Sequence, residues 1–296
     1  MNVSLVAATA RGPAERGRTR TVLDDVTLEA GEGVLAVLGA PGDGTGLLLD
    51  VIQGTIDLRK GKRKVLVGAA DVHTRIARVS LDAPLPEAMH VDEVCVLAAD
   101  LRDEPRVFAD ERLAILGASA LARRTVRSLS VDERRTVTLA LALTSKKVEV
   151  LLVEEPFVAL SPVAPAKVAE AIRAHRGTVI VTTASARDAM LVASRFGVLT
   201  AGTYRPLPDA GVLSATMRIV ARDRAAALIA ALGEEVTHVE STMLGNGASA
   251  ILVSGSGELA RVVTRAIAAT GADVEFVEPV ARPLDALREV LGGGVR

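Results

Sequence analysis

Apolar residues recur along this chain with two periods, and the switches between them mark out its elements. Val3 to Ala7, Thr21 to Leu28 and Val34 to Leu38 are short runs with the spacing and β-branched content of strands. A glycine-rich turn follows, Gly39 to Gly44, and then LLLDVIQ, apolar at helical spacing and stopped by Gly54. The basic stretch Arg59 to Lys64 (RKGKRK) predicts a solvated turn before a strand VLVG, Ile76 to Ser80 predicts another strand, and the Pro-flanked DAPLPEAMH predicts a loop. From Val91 to Leu143 the spacing turns helical in VCVLAADL, FADERLAILG and VTLALAL. Val148 to Glu154 is a continuous apolar run that ends in acids, the pattern of a strand buried on both faces in a parallel sheet. A helix (Val163 to His175), a strand (Thr178 to Thr183), a helix (Ser185 to Ser194) and a strand (Gly197 to Leu199) complete an alternation that predicts an α/β core with a mostly parallel sheet.

Gly202 to Asp209 (GTYRPLPD) carries two prolines and reads as a linker. Beyond it come strand MRIVA, helix Arg224 to Leu232, strand Val236 to Glu240, a GNG turn, strand Ala248 to Val253, helix Glu258 to Ala269 and strand Val274 to Val277. That order, βαββαβ, predicts a smaller α+β domain of ferredoxin-like arrangement, with a last short helix over Leu284 to Leu291. At 296 residues the chain suits two domains, and the boundaries fall at residues 1–203 and 212–296.

Composition narrows the picture. A net charge of −1 gives no electrostatic reason to expect nucleic acid as a partner. The single cysteine, Cys95, excludes an internal disulfide. No apolar run approaches the roughly 18 residues that cross a bilayer, and the first apolar run precedes its arginines, the wrong order for a secretory signal. The expected location is therefore cytoplasmic. No aromatic residue precedes Phe108, so nothing before it can stack on a nucleobase.

The chemistry concentrates in GVLAVLGAPGDGTGLLL, a strand, glycine turn and helix with the form of a phosphate-binding loop. Such loops follow GxxxxGK[ST]: backbone amides cradle phosphate, the lysine reaches the outer phosphates and the hydroxyl holds Mg²⁺. Gly39, Gly42 and Gly44 stand in the turn, but the lysine position is Thr45 and the hydroxyl position is Gly46. Asp43 places a negative charge inside the loop.

From about Val22 to Gly202 the chain resembles the nucleotide-binding subunit of ABC transporters. TVLDDVTLEAGEGVLAVLGAPGDGTGLLL is similar to that family's opening strands and phosphate loop, RSLSVDERRTVTLALAL to its signature segment, VEVLLVEEPFVALSP to its Walker B strand and D-loop, and GTVIVTTASARDA to its H-loop region. The resemblance implies a P-loop NTPase-like ABC domain. In it Glu155 matches the general base, Glu154 the Mg²⁺ partner, and Ser130 with its neighbours the signature that meets phosphate across a dimer. Val131 and Asp132 replace signature glycines, Ala184 stands at the switch-histidine position, Ser161 at the D-loop aspartate, and Leu81 or Asp82 at the Q-loop glutamine. Ser130-x-x-Glu133 reads as a helix capping box. His73, His90, His175 and His238 show no metal-ligand spacing.

The βαββαβ unit resembles the appendage of subunits paired with ABC-2-type exporters, and Met89 to Leu101 matches where the family receives its membrane partner. The resemblance and its missing groups together lead to the expectation of a pseudo-ATPase, with no cofactor and with vestigial positions at Glu155, Glu154 and the Gly39–Gly46 loop. Its implied partners are a polytopic ABC-2-type membrane protein and a second subunit, in a homodimer or heterodimer peripheral to the inner face of the cell membrane, with no nucleic acid. The rival is a divergent active ATPase that binds Mg-ATP, uses Glu155 as base and takes a cation from Arg59 to Lys64 for the missing lysine. A third reading is a sensor in which the C-terminal unit binds a small molecule.

Overall fold

Residues 2–15, 18–66, 75–82, 84–160, 164–207, 216–233, 236–255 and 259–280 are described by the computed structural model. By contact they group into two units, one of residues 1–184 with 188–206 and one of residues 185–187 with 207–296.

In the first unit, β1 (Asn2–Glu15) and β2 (Arg18–Ala30) form an antiparallel pair. Then β3 (Gly33–Leu38) enters the core, five of its six residues buried. A 3-10 turn over Pro41–Asp43 leads into α1 (Thr45–Gln53), which ends at Gly54. The strand β4 (Lys60–Leu66) returns to pair antiparallel with β1, giving a three-stranded sheet of order β2-β1-β4. After β5 (Ile76–Val79) come the helices α2 (Val91–Leu101), α3 (Ala109–Ala114) and α4 (Val131–Leu143). The alternation closes with β6 (Val150–Glu154), α5 (Ala164–Ala174), β7 (Thr178–Thr183), α6 (Ala186–Val192), β8 (Arg195–Thr200) and β9 (Thr203–Leu207).

The larger sheet runs β5-β6-β7-β3-β8-β9, and β5 with β6, β6 with β7, β7 with β3 and β3 with β8 are all parallel. Its two faces feed separate cores. Leu35, Val37, Val150, Leu152 and Ile180 pack with α1 and the β1–β2 pair, while Val34, Leu151, Val153, Val179 and Val181 pack with α2, α4 and α5. All six residues of β7 are buried, which is why its sequence shows no alternation.

Two stretches differ from their sequence reading. Arg59 to Lys64 is no solvated turn: Lys60 onward belongs to β4, an exposed strand whose lysines keep the edge of the sheet soluble. Thr203 to Leu207, expected as linker, is the edge strand β9, where Pro206 costs no ladder bond from a neighbour on the open side. The Tyr204 ring lies over Gly197 on β8, so close that a Cβ there would collide with it.

The second unit has its own core. The strands β10 (Thr216–Ala221), β11 (Val236–Met243), β12 (Ser249–Gly255) and β13 (Val274–Val280) form one antiparallel sheet of order β11-β12-β10-β13. The helices α7 (Ala225–Leu232) and α8 (Leu259–Thr270) cover one face through Leu228, Leu232, Val262 and Val263 against Ile219, Ile251 and Val253. This is the ferredoxin-like βαββαβ order. The expected helix over Leu284 to Leu291 lies outside the described residues.

Candidate functional site

The glycine loop forms because β3 and α1 must meet tightly. Gly39 donates from its backbone N to Thr183 O at 3.0 Å, and a Cβ on it would stand 2.8 Å from both Leu199 O and Thr45 Cγ2. Gly44 is left-handed, φ +96, and forms the N-cap of α1 with no side-chain cap bond. Gly42 has open space around its Cα. Thr45 is buried, its methyl group against Gly39. A Cβ on Gly46 would meet Glu154 Oε1 at 3.5 Å, an ordinary contact. A hydroxyl-bearing side chain there is thus missing from the sequence and not barred by space.

Asp43 does something that the sequence did not disclose. Its side chain is buried, and its Oδ2 accepts from Ala40 N at 2.7 Å while Oδ1 accepts from Ala201 N at 3.1 Å. It is a strut inside the loop and across to the β8–β9 turn. The signal lies in its position, two residues before the helix, where an acid folds back on preceding amides.

The acids at the end of β6 are held by different means. Glu155 has φ +45, a left-handed backbone position, and its carboxylate accepts from Thr183 Oγ1 (2.8 Å, Oε2) and from Ala184 N (2.8 Å, Oε1). Burial pushes its carboxyl above the usual glutamate range, against the lowering effect of those two hydrogen bonds, and the nearby charges of Asp188 and Glu154 add to the rise. Glu154 faces Arg78 of β5, whose Nη2 lies 3.7 Å from its Oε2. Arg78 Nη1 also donates to Asp50 of α1, and Nη2 reaches Gly46 O at 3.5 Å. Arg135 of α4 is buried. Its guanidinium donates to Ser80 O, Glu154 O and Glu155 O, which pins the signature helix to the ends of β5 and β6, and burial lowers its pKa.

Arg78 belongs to no sequence motif and Arg135 lies in the signature segment at a position given no role there, so sequence reasoning misses both. The signal that could find them is a charged residue inside an apolar run, Arg78 in IARV and Arg135 at the base of VTLALAL.

Ser130 is the N-cap of α4: its Oγ accepts from Glu133 N, and its own N donates to Glu133 Oε2 at 2.8 Å. The capping box is present as the sequence predicts. Val131, the next residue, is exposed. Ser161 and His73 lie outside the described residues, as does the side chain of His238. His90 faces Arg123 O through Nδ1, and burial depresses the His175 pKa.

Glu155, Glu154 and the loop therefore converge at one end of the parallel sheet, and Ser130 begins the helix that Arg135 joins to them. The cation expected from Arg59 to Lys64 is not among them. Arg63 Nη1 donates to Val51 O at 3.2 Å, in the last turn of α1 and about 9 Å of helix away from the loop. The residues do not fit a divalent cation. Gly46 offers no oxygen from its side chain, and Glu154 and Asp50 already face a guanidinium.

No protein-family model matches the chain. The thiamine import ATP-binding protein ThiQ of Chelativorans sp. is 31% identical over 194 residues, 60% of this chain and 77% of that protein. The bicarbonate transport ATP-binding protein CmpD of Synechococcus elongatus is 29% identical over 224 residues, covering 68% and 74%. The daunorubicin resistance ATP-binding protein DrrA3 of Streptomyces coeruleorubidus is 30% identical over 209 residues, 66% of each chain. Among solved structures, an ATP-binding subunit of an ABC transporter superposes with a TM-score of 0.60 at 18% identity, covering 70% of this chain and 90% of that one. A dimeric post-hydrolysis ATP-binding cassette bound to ADP and Pi gives 0.61 at 18% identity, covering 70% and 98%. At that identity the structural likeness speaks for the fold.

Proposed function

This chain belongs to the ATP-binding proteins of ABC transporters, and from that premise we propose that it is a pseudo-ATPase, a subunit that keeps the cassette in order to dock on a membrane protein and has lost turnover. The observation that carries the reading is the state of Glu155. Both oxygens of its carboxylate accept hydrogen bonds from the end of β7, one of them from the Ala184 backbone where the family resemblance places a histidine. A base so tied, beside a phosphate loop with Thr45 for lysine and Gly46 for the metal's hydroxyl, lacks the means to position water and neutralise leaving phosphate. Charge-assisted hydrogen bonds contribute about 1.5–3 kcal/mol each, so the missing lysine alone weakens a nucleotide considerably.

The docking half of the reading rests on α2. Met89, Val96 and Leu97 with the acids Asp92, Glu93 and Asp100 line an open hollow of about 480 Å³, on the segment that resembles where the family receives its membrane partner. Among the described residues no helix is long and apolar enough to cross a membrane, so membrane attachment would come through that partner. The partner proposed is a polytopic protein of the ABC-2 type, with the subunit peripheral on the inner face of the cell membrane as a homodimer or in a heterodimer. The βαββαβ unit, residues 212–296, would dimerise or regulate it. Phosphate release from the complex assembled with the membrane protein tests the claim: release above that of the membrane protein alone overturns it, and failure to co-purify overturns the docking half.

A second reading, a divergent ATPase, is favoured by one observation. The Glu155 carboxyl is raised above its ordinary range, mainly by burial, as a general base requires. Phosphate release that disappears in Glu155→Gln would establish it.

A further inference from the structure

The acids at the family's metal position are joined by a cation from the chain itself. Arg78 stands on β5 between the buried residues Ala77 and Val79, so its strand carries the guanidinium into the first unit instead of leaving it at the surface. Two elements converge on it: Asp50 on α1 accepts from Nη1, Gly46 O of the same helix lies 3.5 Å from Nη2, and Glu154 Oε2 of β6 lies 3.7 Å from Nη2. The Arg78 and Glu154 side chains are 16% and 17% exposed, and Arg78 Nε is buried with no partner among the described residues. Asp50 is 30% exposed, and two carboxylates held on one guanidinium repel each other unless a cation stands between them. A planar guanidinium can serve both at once. Mg²⁺ in its place would need carboxylate oxygens at about 2.1 Å and the guanidinium expelled.

We propose that Arg78 is a built-in replacement for the divalent cation: it neutralises Asp50 and Glu154 and ties α1 to β5 and β6, so that the loop end of the sheet holds together without metal. The proposal rests on the reading of Glu154 as the family's metal position, and it stands apart from whether the protein turns over ATP. Phosphate release tests the proposed function and melting tests this replacement, so either can fail alone.

The experiment is thermal melting of the full chain in EDTA and in excess Mg²⁺, each with and without ATP. For the unaltered protein the melting points in EDTA and Mg²⁺ should agree within about 1 °C, whether or not ATP is present. Arg78→Gln should melt about 4 °C lower or more in EDTA, and Mg²⁺ should recover at least half of the loss. Arg78→Gln combined with Glu154→Gln should lose the response to Mg²⁺, and Arg78→Lys, which keeps a cation, should show none. A melting point that Mg²⁺ raises by about 3 °C or more in the unaltered protein, and not in Glu154→Gln, overturns the proposal. So does an Arg78→Gln protein indifferent to Mg²⁺. Should Arg78→Gln fail to fold, Arg78→Lys decides: Mg²⁺-insensitive melting supports the replacement, and Mg²⁺-dependent melting overturns it.

Discussion

Glu155 combines a left-handed backbone, a half-buried carboxylate and two hydrogen bonds from the end of β7. Its raised pKa fixes the sign of a pH effect. The folded state holds the proton more tightly than the unfolded chain, so this group lowers stability as pH rises from the ordinary glutamate range through the raised value. Glu155→Gln, which cannot ionise, should flatten that part of the urea-unfolding profile, and a profile unchanged by the substitution would contradict the shift. On the pseudo-ATPase reading the same variant leaves phosphate release from the assembled complex unchanged. At Ser130, replacement by alanine removes the N-cap and should lower stability by about 1 kcal/mol in chemical denaturation. That cap is legible in the sequence because Ser130 and Glu133 are three residues apart and nothing distant is involved. The Arg78, Asp50 and Glu154 cluster is not, since its members come from three elements and meet only once the sheet order β5-β6 is set and α1 covers it.

Whole elements are legible in the sequence where burial leaves a pattern and obscure where it does not. The strands β3, β6 and β7 are apolar because both faces are covered, and the run around each marks it whatever its neighbours. By contrast β4 and β9 are edge or exposed strands whose pairing comes from β1 and β8, and RKGKRK and TYRPL show no apolar rhythm of their own. Among helices, α4 depends on a contact that periodicity hides. Arg135 sits on its buried side and gathers three carbonyls from the ends of β5 and β6. Arg135→Ala should therefore cost about 3 kcal/mol in equilibrium unfolding, because those carbonyls lose their donors in a dry site. A loss within the range of ordinary surface substitutions, about 0.5 kcal/mol, would show that α4 is held by its apolar side chains instead.

For the molecule as a whole, the two units have separate hydrophobic cores, and calorimetry is expected to resolve two transitions, of which only one moves with substitutions in the second unit's core at Leu228, Val263 and Ile251. Docking belongs to the same scale: Leu97→Glu, on a residue 38% exposed in the α2 hollow, should abolish co-purification with the membrane partner and leave the melting point unchanged. The alternation of strand and helix makes both folds legible, while the clefts and ion clusters that distinguish this cassette arise from packing between segments. The chain has one tyrosine and no tryptophan, and that tyrosine is the residue stacked over Gly197 at the β8–β9 edge. Its ultraviolet spectrum is accordingly a single-site signal from that hairpin. Burial pushes the Tyr204 phenol up to about 12, whereas an unfolded tyrosine ionises near about 10. The tyrosinate band should thus emerge late in the native protein and early in urea. Between those two pH values alkali should weaken the fold, with one intrinsic chromophore recording the loss.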